Sequence, residues 1–177
     1  MDMYKVKWTV LMQNVFSLLC QRSGEKMSQR EIAKELDISP TAAGTAVKAL
    51  EKIGLATKEK TKTINFISLN REEGTALKRV ENLKSIYTSG LAAHLEETLP
   101  GSTIILFGSY ARGEDTTRSD IDLAVIGRGE QAVKLEPYEK SLRRRINMNF
   151  YRTWKETSKE LRNNILNGIL LHGSVDL

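Results

Sequence analysis

The feature that most constrains the fold is an apolar segment, Thr103 to Phe107, that ends directly in Gly108-Ser109. Such a run predicts a buried strand, and the glycine predicts a sharp turn into a short helix. Two more apolar runs predict strands at Ile121 to Ile126 and at Ile146 to Tyr151. A helix is expected at Ala132 to Arg145, and helices from Trp154 onward, with Gly168 to Leu177 ambiguous. This order indicates an α+β domain.

Two carboxylates flank the start of the second predicted strand. Asp120 lies eleven positions after Ser109, and Asp122 follows two residues later. Because residues two apart on a strand face the same side, both carboxylates are expected to converge. Gly108 permits a close backbone approach, the Ser109 hydroxyl adds a donor, and the start of a helix favours phosphate. Carboxylate and phosphate oxygens together make a site that suits Mg²⁺.

The residues from about 100 to the end resemble the minimal nucleotidyltransferases of the DNA polymerase β-like superfamily. The resemblance is carried by Phe107-Gly108-Ser109-Tyr110-Ala111-Arg112-Gly113 and Ser119-Asp120-Ile121-Asp122-Leu123. It implies an α+β domain with a small mixed sheet, in which Gly108 and Ser109 hold the triphosphate of an NTP. It also implies that Asp120 and Asp122 are catalytic and bind Mg²⁺. The whole chain is similar to prokaryotic proteins that fuse a winged helix-turn-helix to such a domain.

The sequence departs from that family at one position. The family carries a third carboxylate on a later strand, where this chain has Asn147 and Asn149 facing the same side. An amide carbonyl can ligate a metal, but an amide cannot accept a proton from a hydroxyl. Glu114 or Asp115, on the intervening loop, is the open alternative for the missing base.

Several arginines lie near this motif in the sequence. Arg112 and Arg118 are predicted to bind nucleotide phosphates, with exposed loop arginines as the equal alternative. The run Arg143-Arg144-Arg145 ends a predicted helix, where it is expected to complement the helix dipole and face solvent. Contact with an RNA or protein substrate is the lesser alternative for this run.

The first 70 residues predict a winged helix-turn-helix. One amphipathic helix spans Lys7 to Arg22, and Ser28-Gln29-Arg30-Glu31 is a capping box that starts a second. Ser39-Pro40 starts a third helix, which Gly54 ends. Two strands are then expected at Leu55 to Glu59 and Thr63 to Leu69.

In such a module, the third helix enters the major groove of DNA and the wing contacts the adjacent backbone. The predicted DNA-binding residues are the groove-facing Ser39, Thr41, Ala42, Thr45 and Lys48, the wing residues Lys58, Lys60 and Lys62, and the phosphate anchors Gln29 and Arg30. The chain has a net charge of +5, and residues 1–70 contain 11 Lys and Arg against seven Asp and Glu. This local excess suits double-stranded DNA. A winged helix used only for protein contacts is the alternative.

The sequence is divided into a DNA-binding domain at 1–70, a connecting helical region at 71–99 and a nucleotidyltransferase-like domain at 100–177. The connecting region has a long apolar stripe, interrupted at Gly90, which predicts a homodimer contact. The single cysteine, Cys20, excludes an intrachain disulfide and fits the cytoplasm. No apolar stretch is long enough to span a membrane.

Two functions follow from these observations. The first is a DNA-binding protein that binds Mg²⁺ and an NTP and transfers a nucleoside monophosphate to a protein or RNA acceptor. The second is a transcription regulator whose degenerate nucleotidyltransferase domain senses a nucleotide or mediates contacts. The missing third carboxylate favours the second function.

Overall fold

The computed structural model describes residues 7–61 and 64–176, and the chain divides into two compact units, Met1–Lys78 and Arg79–Leu177. The domain boundaries drawn from the sequence at residues 70 and 99 stay predictions. Within the described ranges, no helix is both long enough and apolar enough to cross a membrane.

Three helices open the amino-terminal unit, and they are α1 (Val10–Gln21), α2 (Gln29–Glu35) and α3 (Pro40–Lys52). Their starts follow the sequence signals. The Ser28 hydroxyl accepts a hydrogen bond from Glu31 N at 3.2 Å, and the Glu31 carboxylate accepts one from Ser28 N at 2.6 Å. The capping box is therefore formed as predicted. The Ser39 hydroxyl caps α3 by accepting from Ala42 N at 3.1 Å.

A three-stranded antiparallel sheet completes this unit, with the strands β1 (Met27–Ser28), β2 (Ala56–Lys60) and β3 (Asn65–Leu69) in the order β1-β3-β2. The hairpin of β2 and β3 is the predicted wing. The two-residue β1 is too short to show an alternating pattern, so the sequence analysis missed it. The wing residue Lys62 lies outside the described residues. The core packs Phe16, Ile32, Val47 and Leu50 among other buried apolar side chains.

Two helices, α4 (Arg71–Thr88) and α5 (Leu91–Thr98), follow the wing and break at Gly90. The apolar side chains of Ile86, Leu91 and Leu95 are fully buried in the core of the carboxyl-terminal unit. Val80 and Tyr87 remain exposed at 60% and 53%. Much of the stripe that suggested a dimer contact is therefore used within the chain's own core, and the homodimer stays a prediction.

A four-stranded sheet forms the centre of the carboxyl-terminal unit, with the strands β4 (Thr103–Phe107), β5 (Ile121–Ile126), β6 (Ile146–Tyr151) and β7 (Ile169–His172) in the order β6-β5-β4-β7. Strands β5 and β6 are parallel, whereas β4 is antiparallel to both β5 and β7. The sheet is thus mixed, and its first three strands have the predicted bounds. Helix α6 (Gly108–Arg112) follows β4 directly, as predicted.

Helices follow Trp154 as predicted, and the ambiguous segment from Gly168 onward contains strand β7. A 3-10 turn at Trp154–Glu156 and helix α8 (Lys159–Leu166) lead into β7, the edge strand. Gly168 directly precedes β7 and lies close to the backbone of β4. A Cβ at this position would lie 2.4 Å from the Leu106 carbonyl oxygen, so a side chain would not fit there. A run of four residues such as β7 is too short for its periodicity to distinguish a strand from a helix.

The helix expected at Ala132 to Arg145 is also shorter than predicted. Helix α7 (Glu136–Leu142) begins where Pro137 can occupy the first turn, since proline lacks the N–H that an interior position needs. It ends at Arg143, whose φ is 53°. Arg144 then turns inward and its side chain is only 4% exposed, so the expectation of a solvent-facing arginine run is wrong at this residue.

Candidate functional site

The structure brings Asp120 and Asp122 together at the start of β5. Asp122 is paired in register with Phe107 on one side and with Asn147 on the other. The Asn147 amide nitrogen lies 3.1 Å from Asp120 Oδ2 and 3.4 Å from Asp122 Oδ1. One amide group therefore bridges both carboxylates, which converge as the spacing predicted.

Gly108 lies against the second of these carboxylates. Its φ is +76°, and a Cβ placed there would lie 2.5 Å from Asp122 Oδ2. A side chain at this position would combine a strained backbone with a clash. Because Gly108 has no side chain, the Gly108-Ser109 turn can lie directly against the Asp122 carboxylate. Their roles in binding phosphate and metal stay predictions.

Asn147 lies beside both aspartates, at the position where the resemblance predicts a third carboxylate. Among the described residues, no group of three or more His, Cys, Asp or Glu side chains could hold a metal ion. Asn149 does not join the cluster, because its amide donates to the Leu123 carbonyl oxygen at 3.4 Å. The site therefore combines two carboxylates with one amide.

Neither loop carboxylate is placed to replace the missing base. Asp115 is 1% exposed, accepts a hydrogen bond from Asn82 Nδ2 at 2.7 Å and lies 3.6 Å from the Arg144 guanidinium. Glu114 is exposed and pairs with Arg112 at 2.8 Å. Asp115 is thus a structural residue, and no local sequence pattern indicated its long-range contacts.

The electrostatics of the cluster favour a cation. Burial raises the pKa of Asp122, the hydrogen bond from Asn147 opposes this rise, and the Asp120 charge adds to it. A carboxyl with a raised pKa destabilises the fold when ionised, and this cost disappears as pH falls through the folded-state pKa. A bound cation would offset the same cost at neutral pH.

The two arginines predicted to bind nucleotide phosphates have different surroundings. Arg112 donates to Glu114 and, at 3.3 Å, to the side-chain oxygen of Asn164. Arg118 instead lines a cavity that also includes Asp120. Of the pair, only Arg118 adjoins a carboxylate of the candidate site.

The predicted DNA-binding side chains of α3 lie on its exposed face. Thr41, Thr45 and Lys48 are exposed, and Ala42 is half-buried. Ser39 is also exposed, but its hydroxyl already caps the helix. The arrangement leaves one small, polar helix surface available to a groove.

The remaining candidates surround this helix. Lys60 and Arg30 are exposed and Lys58 is half-buried. Gln29 donates from its amide nitrogen to the Pro40 carbonyl oxygen at 2.6 Å, so this side chain ties α2 to the start of α3. Its predicted role as a phosphate anchor thus competes with a structural contact.

Comparison with known families assigns both parts of the chain. Residues 93–175 match the family described as polymerase beta, nucleotidyltransferase, and residues 19–57 match a winged helix-turn-helix DNA-binding family. The two matches confirm the predicted arrangement, a winged helix-turn-helix DNA-binding region followed by a polymerase beta nucleotidyltransferase domain. A search of curated proteins found no match.

Several solved structures are similar to part of this chain. A mutant of ZitR from Lactococcus lactis is 21% identical over 54% of this chain and 64% of its own, with a TM-score of 0.43. The adhesin competence repressor AdcR from Streptococcus pyogenes is 20% identical over 55% of this chain and 72% of its own, with a TM-score of 0.42. The chain thus spans less than two thirds of the length of ZitR.

Proposed function

We propose that this chain is a DNA-binding protein whose nucleotidyltransferase domain binds a nucleoside triphosphate together with Mg²⁺. The observation that carries the proposal is the cluster of Gly108, Asp120 and Asp122. The carboxylates converge there, and the turn that would approach the phosphates packs against one of them. Ser109, the next residue, would add a hydroxyl donor.

The donor set fits Mg²⁺. Asp120 and Asp122 supply carboxylate oxygens, and rotation of the Asn147 amide would present its carbonyl oxygen in place of its nitrogen. Hard oxygen ligands are those that Mg²⁺ prefers, and it is commonly held by one or two carboxylates together with substrate phosphates. When bound, the ion would neutralise phosphate charge and relieve the repulsion between the two carboxylates.

The same geometry supports binding without efficient turnover. Transfer to a protein or RNA hydroxyl needs a group that accepts the hydroxyl proton. Asn147 cannot do so, Asp115 is buried against Arg144, and Glu114 pairs with Arg112. We therefore favour a nucleotide-sensing DNA-binding regulator. Transfer remains the second candidate because the Gly108-Ser109 turn and both aspartates are retained.

Thermal unfolding with each of the four NTPs, with and without Mg²⁺, tests this proposal. A nucleotide present at about 100 times its dissociation constant is expected to stabilise the protein by about 2.7 kcal/mol. The effect should require Mg²⁺ and disappear in Asp120→Asn/Asp122→Asn. If no nucleotide stabilises the wild type, or if the double variant responds equally, the proposed site is wrong.

The DNA interface has its own test. Lys48→Ala/Lys60→Ala is expected to weaken DNA binding and to reduce the slope of log affinity against log salt by about 0.9 per lost phosphate contact. Lys155→Ala/Lys159→Ala removes two exposed lysines of the other unit and should leave the slope unchanged. Equal slopes for the wild type and the first variant would contradict the placement of α3 and the wing on DNA.

A further inference from the structure

A second charged site adjoins the carboxylate cluster. It is a cavity of about 430 Å³ whose wall includes Arg118, Asp120, Glu139, Arg143, Arg144 and Arg145. Neither Gly108, Ser109 nor Asp122 is part of this wall. The cavity therefore shares Arg118 and Asp120 with the residues predicted to bind the nucleotide and the metal, and it does not include the Gly108-Ser109 turn.

The fold explains why the arginines meet here. Strands β5 and β6 are parallel neighbours, and their first residues, Ile121 and Ile146, are paired in register. The segments that precede the two strands must therefore lie at the same edge of the sheet. Arg118 belongs to the first of these segments, and Arg145 immediately precedes the second strand. Both side chains are exposed, and among the described residues neither forms an ion pair.

The wall of the cavity is held by buried polar contacts. The Arg144 side chain is 4% exposed and faces Asp115, whose carboxylate accepts a hydrogen bond from Asn82. Asn82 also donates to the Tyr110 carbonyl oxygen at 2.8 Å. The acidic side chain of Glu139 is held in the wall by the backbone, because its carboxylate accepts a hydrogen bond from Ile146 N at 2.9 Å. Hydrogen bonds and an ion pair thus fix the positions of Arg144 and Glu139 in the wall.

We propose that this cavity binds a phosphate group of a second phosphorylated ligand, beside the nucleotide. Arginine presents a planar set of donors that matches phosphate oxygens. The two exposed guanidiniums of Arg118 and Arg145 give the site its preference for an anion, because the charge of the buried Arg144 is already compensated by Asp115. The placement beside a bound nucleotide rests on the proposed function, whereas the phosphate site itself needs neither Asp122 nor Mg²⁺. The phosphate belongs either to a small phosphorylated molecule or to the end of a nucleic acid.

Calorimetric titration of the full chain with inorganic pyrophosphate, at low ionic strength and with EDTA, tests the cavity alone. Arg118→Gln/Arg145→Gln is expected to weaken binding at least about tenfold, since it removes two charge-assisted contacts. Arg79→Gln/Arg152→Gln makes the same change of charge at two exposed positions outside the wall and should bind like the wild type. Unchanged melting temperatures would show that both variants fold.

A pair of short oligonucleotides, one with a 5′-phosphate and one with a 5′-hydroxyl, identifies the source of the phosphate. Tighter binding of the phosphorylated oligonucleotide, lost in Arg118→Gln/Arg145→Gln, assigns the cavity to a nucleic-acid end. Binding of pyrophosphate alone assigns it to a small phosphorylated ligand. No binding by the wild type, or equal losses in both arginine variants, overturns the proposal.

The two proposals fail separately. Asp120→Asn/Asp122→Asn should bind pyrophosphate at least as well as the wild type in EDTA, because it removes negative charge near the cavity. If that variant still responds to Mg²⁺ and NTP, the proposed function fails and the cavity remains. If the arginine variant retains full pyrophosphate affinity, only the cavity proposal fails.

Discussion

Replacing Asp115 by asparagine is expected to cost about 3 to 5 kcal/mol of unfolding free energy in the carboxyl-terminal unit. Asp115 and Arg144 have side chains that are 0% and 4% exposed, and they face each other at 3.6 Å. The substitution keeps the shape of the side chain but leaves a guanidinium charge buried opposite a neutral group. Urea unfolding of a Trp8→Phe background, followed by Trp154 fluorescence, would report on this unit.

Glu114→Gln is the matched control for that experiment. Glu114 precedes Asp115 in sequence, and its ion pair with Arg112 is 53% and 45% exposed on the two side chains. Exposed ion pairs contribute about 0 to 1 kcal/mol, so the control should unfold nearly like the wild type. Similar losses of unfolding free energy in both variants would show that Asp115 does not stabilise this unit by compensating the buried charge of Arg144.

Asn147→Asp is expected to convert the proposed nucleotide-binding site into one with measurable turnover. The carboxylate would lie beside Asp120 and Asp122, where the amide now lies 3.1 and 3.4 Å from them. A positioned general base typically contributes about 10² to 10⁴ in rate. Pyrophosphate release from an NTP with Mg²⁺, with water or a hydroxyl of the protein as the acceptor of the nucleoside monophosphate, measures the gain. Without Mg²⁺, the variant should unfold more readily than the wild type, because three carboxylates then repel one another.

Asn149→Asp provides the control for the same charge change on the same strand. The Asn149 amide faces the Leu123 carbonyl oxygen and lies outside the carboxylate cluster. This variant should release no pyrophosphate above the wild-type rate. If Asn147→Asp binds the nucleotide and is as silent as Asn149→Asp, the missing third carboxylate is not what limits turnover.

The sequence was most informative where the causes of structure are local. The strand ending in Gly108-Ser109, the two-residue spacing of Asp120 and Asp122, and the caps at Ser28 and Ser39 all depend on neighbours in the chain. The facing position of Asn147 followed from the alternation of its strand. These features located the carboxylate cluster before any tertiary contact was known.

The features that escaped the sequence depend on contacts between distant residues. The sequence places Asp115 on a loop, and only the three-dimensional structure shows that its carboxylate contacts Asn82 and Arg144. Edge strand β7 is defined by its pairing with β4, because its four apolar residues also suit a helix. The arginine-lined cavity depends on the parallel pairing of β5 with β6, and no local sequence pattern predicts which strands pair.

The central claim is that Asp120 and Asp122 hold a divalent cation together with a nucleotide. Electron paramagnetic resonance with Mn²⁺ as a probe in place of Mg²⁺ tests it most directly, because the signal of free Mn²⁺ falls as the ion binds. The account predicts that an NTP increases Mn²⁺ binding to the wild type beyond its binding by the nucleotide alone. It predicts no such increase in Asp120→Asn/Asp122→Asn. An equal increase in both proteins would contradict the account, as would none in the wild type.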